Sequence, residues 1–404
     1  MTTVKLYPFQ EKIVEFCEDR RRAIIAADAG LGKTLTVLRI LKDKGLCSGR
    51  VSKVGRVLVV VPASLRENFR CEIIKCGFHT SWFKIVSYEW VVSNSNNLKW
   101  LDDIKCVVVD ELQDHLRNKD SLRSKALMEI SKWVKFMYFL SGTPIKKSSK
   151  DIWVVAYMCS PMKWERYSDF CAKYCVRRYN QWGRKWEWDG FKNSRGLKAE
   201  LADIMIRVKK VDVLEELPEL IEKEFWIENG TYEVPEESEL LANKKEVREH
   251  IAKVRQKAAF AKLNHYVESL DLRGISRGII FVWHKDVGST LVEKLSDYKV
   301  GYITGDVVAD SRLAIVECFQ AGELDFLVMT VSVGGVGFNI TNNDYVGFFE
   351  LPFTYAEVEQ AYSRTWRIGN RGCVVEYVLL KDSIDKPMYN IVMKRKRETK
   401  EAVG

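Results

Sequence analysis

Asp28-Ala29-Gly30-Leu31-Gly32-Lys33-Thr34 follows an apolar run at 23–27 and opens the helical pattern at 35–42. Glycines at a strand-to-helix turn let the backbone curl until its N–H groups point at phosphate oxygens. The N-terminus of the following helix adds a dipole that favours an anion. The ammonium of Lys33 is then placed for β- and γ-phosphates, and the hydroxyl of Thr34 for Mg²⁺. The place that the full phosphate-loop pattern gives its first glycine is held by Ala27, so the match rests on Gly30-Leu31-Gly32-Lys33-Thr34 with Ala29 before it. A plain strand-to-helix turn would read the same in isolation, and the surrounding chain decides between the two.

Outward from this loop, short β-branched runs alternate with helical patterns over residues 1–150. Strand candidates are 23–27, 57–61, 84–87, 106–109 and 136–140. The pattern returns over 236–404, with candidates at 278–282, 300–303, 325–329, 345–349 and 374–379. Continuous apolar strands interleaved with helices imply parallel sheets covered on both faces. The expectation is an α/β protein of two lobes facing each other across a cleft. Residues 151–235 differ. They carry Trp153, Trp164, Trp182, Trp186 and Trp188, read mainly as the core of a helical protrusion, with Arg177, Arg178, Arg184 and Lys185 as better DNA candidates. The acidic stretch 215–224, with Pro218, reads as a linker. A long charged helix is expected over 236–270, and a basic cluster closes the chain at 394–397.

Bulk properties bound the function. A chain of 404 residues suits two domains of ordinary size. Hydrophobic residues are 47% and charged residues 29%, which leaves enough apolar side chains for two cores. A formal net charge of +9 favours a polyanionic partner. The ten cysteines show no zinc spacing and read as reduced thiols of a cytoplasmic protein. No apolar run approaches membrane-spanning length. His115, His265 and His284 have no partner at metal spacing, so the only metal expected is Mg²⁺.

Further motifs stand at strand ends. Asp110-Glu111 ends the run 106–109. A carboxylate there can hold Mg²⁺, and its neighbour can orient and deprotonate an attacking water. Leu140-Ser141-Gly142-Thr143-Pro144 is a small-residue turn after the next strand. In the second region, the glycine-rich stretch 330–341 contains Thr330, Ser332, Gly335, Gly337 and Asn339. Its glycines permit close backbone approach to a ligand. Gln360, Arg364 and Arg367 would share one face of a helix, and two guanidinium groups there can meet a γ-phosphate.

This ordered set resembles the Swi/Snf-type ATPases of helicase superfamily 2, nearest the small annealing-helicase and fork-remodelling branch. The resemblance implies two RecA-like lobes with a protrusion between them, ATP and Mg²⁺ as cofactors, and DNA as partner. It covers nearly the whole chain. Leu6-Tyr7-Pro8-Phe9-Gln10 is similar to the family's adenine-recognising segment, with Gln10 as the purine reader. Val61-Pro62-Ala63-Ser64-Leu65 and Val86-Ser87-Tyr88-Glu89 resemble its DNA-contact motifs, which carries DNA contact to Ser64, Ser87 and Tyr88. The same role is read for Thr143, for Trp283 and Lys285 around His284, and for Thr330, Ser332 and Asn339. Residues 206–214, ending at Leu217-Pro218, are similar to the family's brace segment. The stretches 334–341 and 360–369 look like its fifth and sixth motifs and assign Gly335, Gly337 and Gln360 to nucleotide.

There are departures. Gln113 stands where the family often has His, and Asn370 where it has Gln. No targeting module is expected before Leu6 or after Lys396. Such a reduced motor suits a phage, a virus or a mobile element, or work in the nucleoid or nucleus. The reading is a monomeric, DNA-stimulated ATPase that translocates on duplex or branched DNA without sequence preference. Two rivals stay open: a strand-separating helicase or motor subunit of a nuclease complex, and a nucleotide-switched DNA-binding scaffold.

Overall fold

The computed structural model describes residues 5–47, 56–180, 184–214, 217–241, 245–334, 340, 343–366 and 372–404. Contacts divide the chain into two compact units. One comprises Met1–Arg178, Glu187–Glu215 and Glu398–Gly404; the other comprises Tyr179–Trp186 and Glu216–Arg397.

The first unit is built on β1 (Arg22–Ala27), β2 (Arg56–Val61), β3 (Phe83–Ser87), β4 (Ile104–Val109) and β5 (Phe136–Ser141). β6 (Val176–Asn180) and β7 (Lys185–Asp189) form a separate two-stranded sheet. β8 (Met205–Val208) then joins the main sheet, whose order is β3-β2-β4-β5-β1-β8 with every pairing parallel. In β2 the run Val57-Leu58-Val59-Val60-Val61 is buried throughout, as is Cys106-Val107-Val108-Val109 in β4. Such strands bury both faces, which is why they carry unbroken apolar runs instead of an alternation.

The second unit holds β9 (Leu220–Ile227), β10 (Gly278–Val282), β11 (Val300–Ile303), β12 (Phe326–Thr330), β13 (Tyr345–Phe348) and β14 (Cys373–Leu380). Its sheet order is β11-β12-β10-β13-β14-β9, again parallel throughout. The long helix Lys245–Leu272 packs on this sheet and carries Lys262, only 1% exposed, into the core. There the ammonium donates to Asp385 (2.6 Å) and to the Val378 carbonyl (2.7 Å).

The α/β expectation of two parallel-sheet lobes holds, and two edge strands are additions to it. β9 occupies the stretch read as a linker. It lies at the sheet edge beside β14, so its charged residues reach partners: Glu222 accepts from the hydroxyls of Tyr355 (3.0 Å) and Tyr377 (2.9 Å) and pairs with Lys396. β8 overlaps the start of the stretch read as a brace and is only four residues long. The middle stretch also differs from a purely helical protrusion. Its helices Trp153–Cys159, Tyr167–Tyr174 and Ser194–Leu201 flank the β6-β7 sheet. Trp153 and Trp164 are core residues at 4% exposure each, whereas Trp186 is 58% exposed and packs edge-on against Tyr179.

Candidate nucleotide-binding site

Three loops leave the carboxyl ends of neighbouring parallel strands, β1, β5 and β4, with Ala26 beside Ser141 and Val109 beside Phe139. That edge of an open parallel sheet is where α/β proteins place ligands. After β1, Gly30 and Gly32 adopt φ of 87° and 71°, a conformation that disfavours side chains. A Cβ on Gly32 would also meet Gln10 Nε2 at 2.5 Å. Gln10 is 2% exposed and belongs to the loop's support: its Nε2 donates to the Leu31 carbonyl (3.1 Å) and its Oε1 accepts from Tyr7 N–H (3.0 Å). Each end of the amide keeps one further hydrogen-bonding position for a purine edge. Lys33 and Thr34 begin the helix Lys33–Asp43. Lys33 Nζ folds back onto the carbonyls of Ala27 (2.8 Å) and Asp28 (3.3 Å).

The acidic pair sits in a strained turn. Glu111 has φ 53° and caps the short helix Leu112–His115. A left-handed non-glycine residue costs roughly 1–2 kcal/mol, and such strain persists where neighbours over-determine it. Here the neighbours are visible. The Asp110 carboxylate accepts from Glu111 N–H (2.9 Å), and the Tyr88 hydroxyl donates to the Asp110 carbonyl (2.7 Å). Gln113, 1% exposed, donates through Nε2 to Glu111 and accepts through Oε1 from Ser141 Oγ (2.6 Å). Ser141 Oγ in turn accepts from Thr143 N–H (3.0 Å). A buried chain of hydrogen bonds therefore ties the acidic pair to the Ser141-Gly142-Thr143 turn. That turn also packs on the phosphate loop, with a Cβ built on Gly142 lying 3.6 Å from Ala29 N and 3.9 Å from Lys33 Nζ.

Burial pushes the Asp110 carboxyl up to about 7; the charge of Glu111 adds to the rise and that of Lys33 opposes it. A buried acid short of counter-charge is a fitting anchor for a divalent cation. Among the described residues no cluster of three His, Cys, Asp or Glu could hold a metal. Mg²⁺ takes one or two carboxylates and leaves its other positions to water and phosphate. Asp110 and the Thr34 hydroxyl fit that role.

The residues read as DNA contacts divide by exposure. Ser64 is exposed in the turn Ala63–Leu65. Ser87 (8%) accepts from Trp90 N–H as a helix cap, and Thr143 is 9% exposed. Tyr88 is 1% exposed, its ring lying 4.0 Å from that of His115. The reading of Tyr88 as a DNA contact is corrected: its hydroxyl is committed to the acidic turn. In the second unit Thr330 is 4% exposed and Ser332 is exposed. Trp283 is half-buried between the guanidinium of Arg255 (4.8 Å) and Phe353 (5.5 Å). Glu350 anchors the same segment, accepting from Trp283 N–H and His284 N–H. Lys285 is exposed and pairs with Asp306 at 2.5 Å.

Gly335, Gly337, Asn339 and Arg367 lie outside the described residues. Gln360 lies in the helix Tyr355–Tyr362, and backbone bonds run on past its end, with Arg364 N–H on the Ala361 carbonyl (3.4 Å) and Trp366 N–H on the Tyr362 carbonyl (2.9 Å). Two hydroxyls bond back onto this turn: Ser363 Oγ donates to the Gln360 carbonyl (3.1 Å) and Thr365 Oγ1 to the Tyr362 carbonyl (2.8 Å). Trp366 then turns into the core, its indole N–H on the Pro218 carbonyl (2.8 Å).

Comparison with protein families gives two matches: an SNF2-related domain over residues 78–234 and a helicase conserved C-terminal domain over residues 260–369. Among curated relatives, the SWI/SNF-related matrix-associated actin-dependent regulator of chromatin subfamily A-like protein 1 of Xenopus tropicalis is 27% identical over 96% of this chain and 44% of its own length. The human DNA annealing helicase and endonuclease ZRANB3 is 24% identical over 98% of this chain and 40% of its own. The chain is thus similar to these relatives at low identity and spans less than half of their length. The fold is shared with S. cerevisiae Dbp5 bound to RNA and ADP BeF3, at a TM-score of 0.55 and 15% identity over 98% of this chain and 88% of that one. The SNF2-related match begins at residue 78, so the phosphate loop rests on its own geometry.

Proposed function

We propose that this chain is a DNA-stimulated ATPase that translocates on duplex or branched DNA. One observation carries the reading: the phosphate loop, the acidic pair and the Ser141-Thr143 turn converge at adjacent ends of one parallel sheet, with a hydrogen-bond chain through buried Gln113 and Ser141 joining the last two. Similarity to the human DNA annealing helicase and endonuclease ZRANB3 favours DNA as the partner, and so does the net charge of +9.

In the mechanism, Gln10 faces the base and loop N–H groups from Ala29 to Thr34 cradle the phosphates. Lys33 exchanges its loop carbonyls for β- and γ-phosphate oxygens. Asp110 and Thr34 would hold Mg²⁺, which supplies charge neutralisation on the phosphates when bound. Glu111, oriented by Gln113, takes a proton from the attacking water. Arg364 and Arg367 are assigned to the γ-phosphate by their motif, as are Gly335, Gly337 and Gln360. DNA contact is assigned to exposed Ser64, Ser332 and Lys285, with Asn339 by motif; these read as backbone contacts without base recognition. The chain is taken to act as a monomer in a DNA-containing compartment. No helix among the described residues is long and apolar enough to cross a membrane.

The test is multiple-turnover phosphate release across single-stranded, duplex, forked and four-way DNA of unrelated sequences. Turnover that rises with duplex or branched DNA of any sequence supports the reading. Nucleotide binding without turnover on every DNA would mark a switched scaffold. Unwinding of a duplex, beyond displacement of a triplex strand, would mark a strand-separating helicase.

A further inference from the structure

Asp28 opens the phosphate loop with a negative charge at a place that must receive a polyanion. The structure shows how that charge is handled. Arg207, in edge strand β8, donates from Nη2 to Asp28 Oδ1 (2.6 Å), and both side chains are largely buried, at 16% and 17% exposure. The second Asp28 oxygen accepts from Lys210 N–H (2.9 Å), and Asp28 N–H donates to the Val208 carbonyl (3.1 Å). The remaining fork of Arg207 reaches two further segments: Nη1 donates to the carbonyls of Ala26 (3.1 Å), at the end of β1, and of Gly142 (3.0 Å), in the turn after β5. One guanidinium therefore contacts the strand before the phosphate loop, the first side chain of the loop, and the turn that packs on Lys33.

We propose that Arg207 is a positioning residue of the nucleotide site, which neutralises Asp28 and holds the Gly142 turn against the phosphate loop. The proposal rests on the nucleotide-site reading above and adds a residue from outside the loops that touch nucleotide. Charge is the active feature. Without Arg207, the largely buried carboxylate would lose its guanidinium partner at the loop that is to receive a triphosphate, and like charges in a partly desolvated site repel strongly. Arg suits the place because its planar fork serves a carboxylate and two carbonyls at once.

A charge cycle tests this. ATP affinity, KM and kcat are measured with melting temperature for wild type, Arg207→Gln, Asp28→Asn and the double variant. Arg207→Gln is expected to raise Kd and KM for ATP about 10-fold or more, with a smaller change in kcat. Directly coupled charges commonly show roughly 2- to 150-fold non-additivity, so Asp28→Asn in the same background should recover most of the lost affinity. A double variant no better than Arg207→Gln, or a lowered melting temperature with unchanged KM, overturns the proposal and leaves Arg207 a brace for β8. If Arg207→Gln does not fold, the double variant is compared with Asp28→Asn alone: KM within about 3-fold between the two supports charge neutralisation, since no carboxylate is left to neutralise, and a rise of about 10-fold overturns it. Wild-type protein that binds no ATP would instead refute the nucleotide-site reading itself.

Discussion

Removing one hydroxyl should loosen the acidic turn from a distance. Ser141 is fully buried, and its Oγ donates to Gln113 Oε1 (2.6 Å) while accepting from Thr143 N–H (3.0 Å). Ser141→Ala leaves a buried amide oxygen and a buried N–H without that partner. Each orphaned group costs about 1–3 kcal/mol. With partial relaxation the total is about 2–4 kcal/mol. In a unit of roughly 200 residues, about 2–4 °C of melting temperature follows each kcal/mol, so a fall of about 4–16 °C is expected. Gln113 also donates to Glu111, so its release should lower kcat about 10-fold while KM for ATP changes little. Calorimetry and steady-state phosphate release measure both. Adding Gln113→Leu to Ser141→Ala should cost much less than the sum of the two single changes, because both act on one hydrogen bond. A Ser141→Ala protein that melts within about 1 °C of wild type, with additive double-variant losses, would refute the relay.

Three further outcomes follow from the same geometry. Tyr88→Phe removes the donor to the Asp110 carbonyl, so it should cost about 1–2 kcal/mol and reduce turnover while leaving duplex affinity unchanged in a binding titration; lost DNA affinity with normal turnover would restore Tyr88 to the DNA surface. Lys262→Ala leaves Asp385 buried without its cation, and chemical denaturation should show the second unit destabilised by about 3–5 kcal/mol; a change below 1 kcal/mol would contradict the buried pair. Arg364→Ala should lower kcat by about 10³–10⁵ with duplex affinity retained; turnover near wild type would remove Arg364 from the γ-phosphate.

Much of this was legible in the sequence because burial on both sheet faces writes itself as unbroken apolar runs. Val57-Leu58-Val59-Val60-Val61 and Cys106-Val107-Val108-Val109 could only be interior parallel strands, and the loops at their ends followed. Edge strands leave no such trace. β9 carries Glu222, Lys223 and Glu224 because one side of it is half-exposed, so its composition imitates a linker. β8 is too short to show a period. At Tyr362 the α-helix gives way to a turn in which Ser363 and Thr365 also set their hydroxyls on backbone carbonyls, and the helical spacing of Gln360 and Arg364 carries no sign of it. Among site residues, Lys33, Thr34, Asp110 and Glu111 were readable from chemistry at strand ends. Tyr88 and Arg207 were not readable in their roles, since a hydroxyl on a main-chain carbonyl and a guanidinium on Asp28 are long-range contacts with no local pattern.

The most direct test of the central claim is ATP turnover by wild type and Glu111→Gln, with and without duplex DNA, measured beside ATP affinity. The amide keeps the shape of Glu111 but cannot take the proton from water, and loss of a general base costs about 10²–10⁴ in rate. The account predicts DNA-stimulated turnover in wild type, its loss by about that factor in Glu111→Gln, and ATP affinity within about 3-fold of wild type. Wild-type turnover that ignores DNA, or a Glu111→Gln protein that loses affinity and turnover equally, would contradict it.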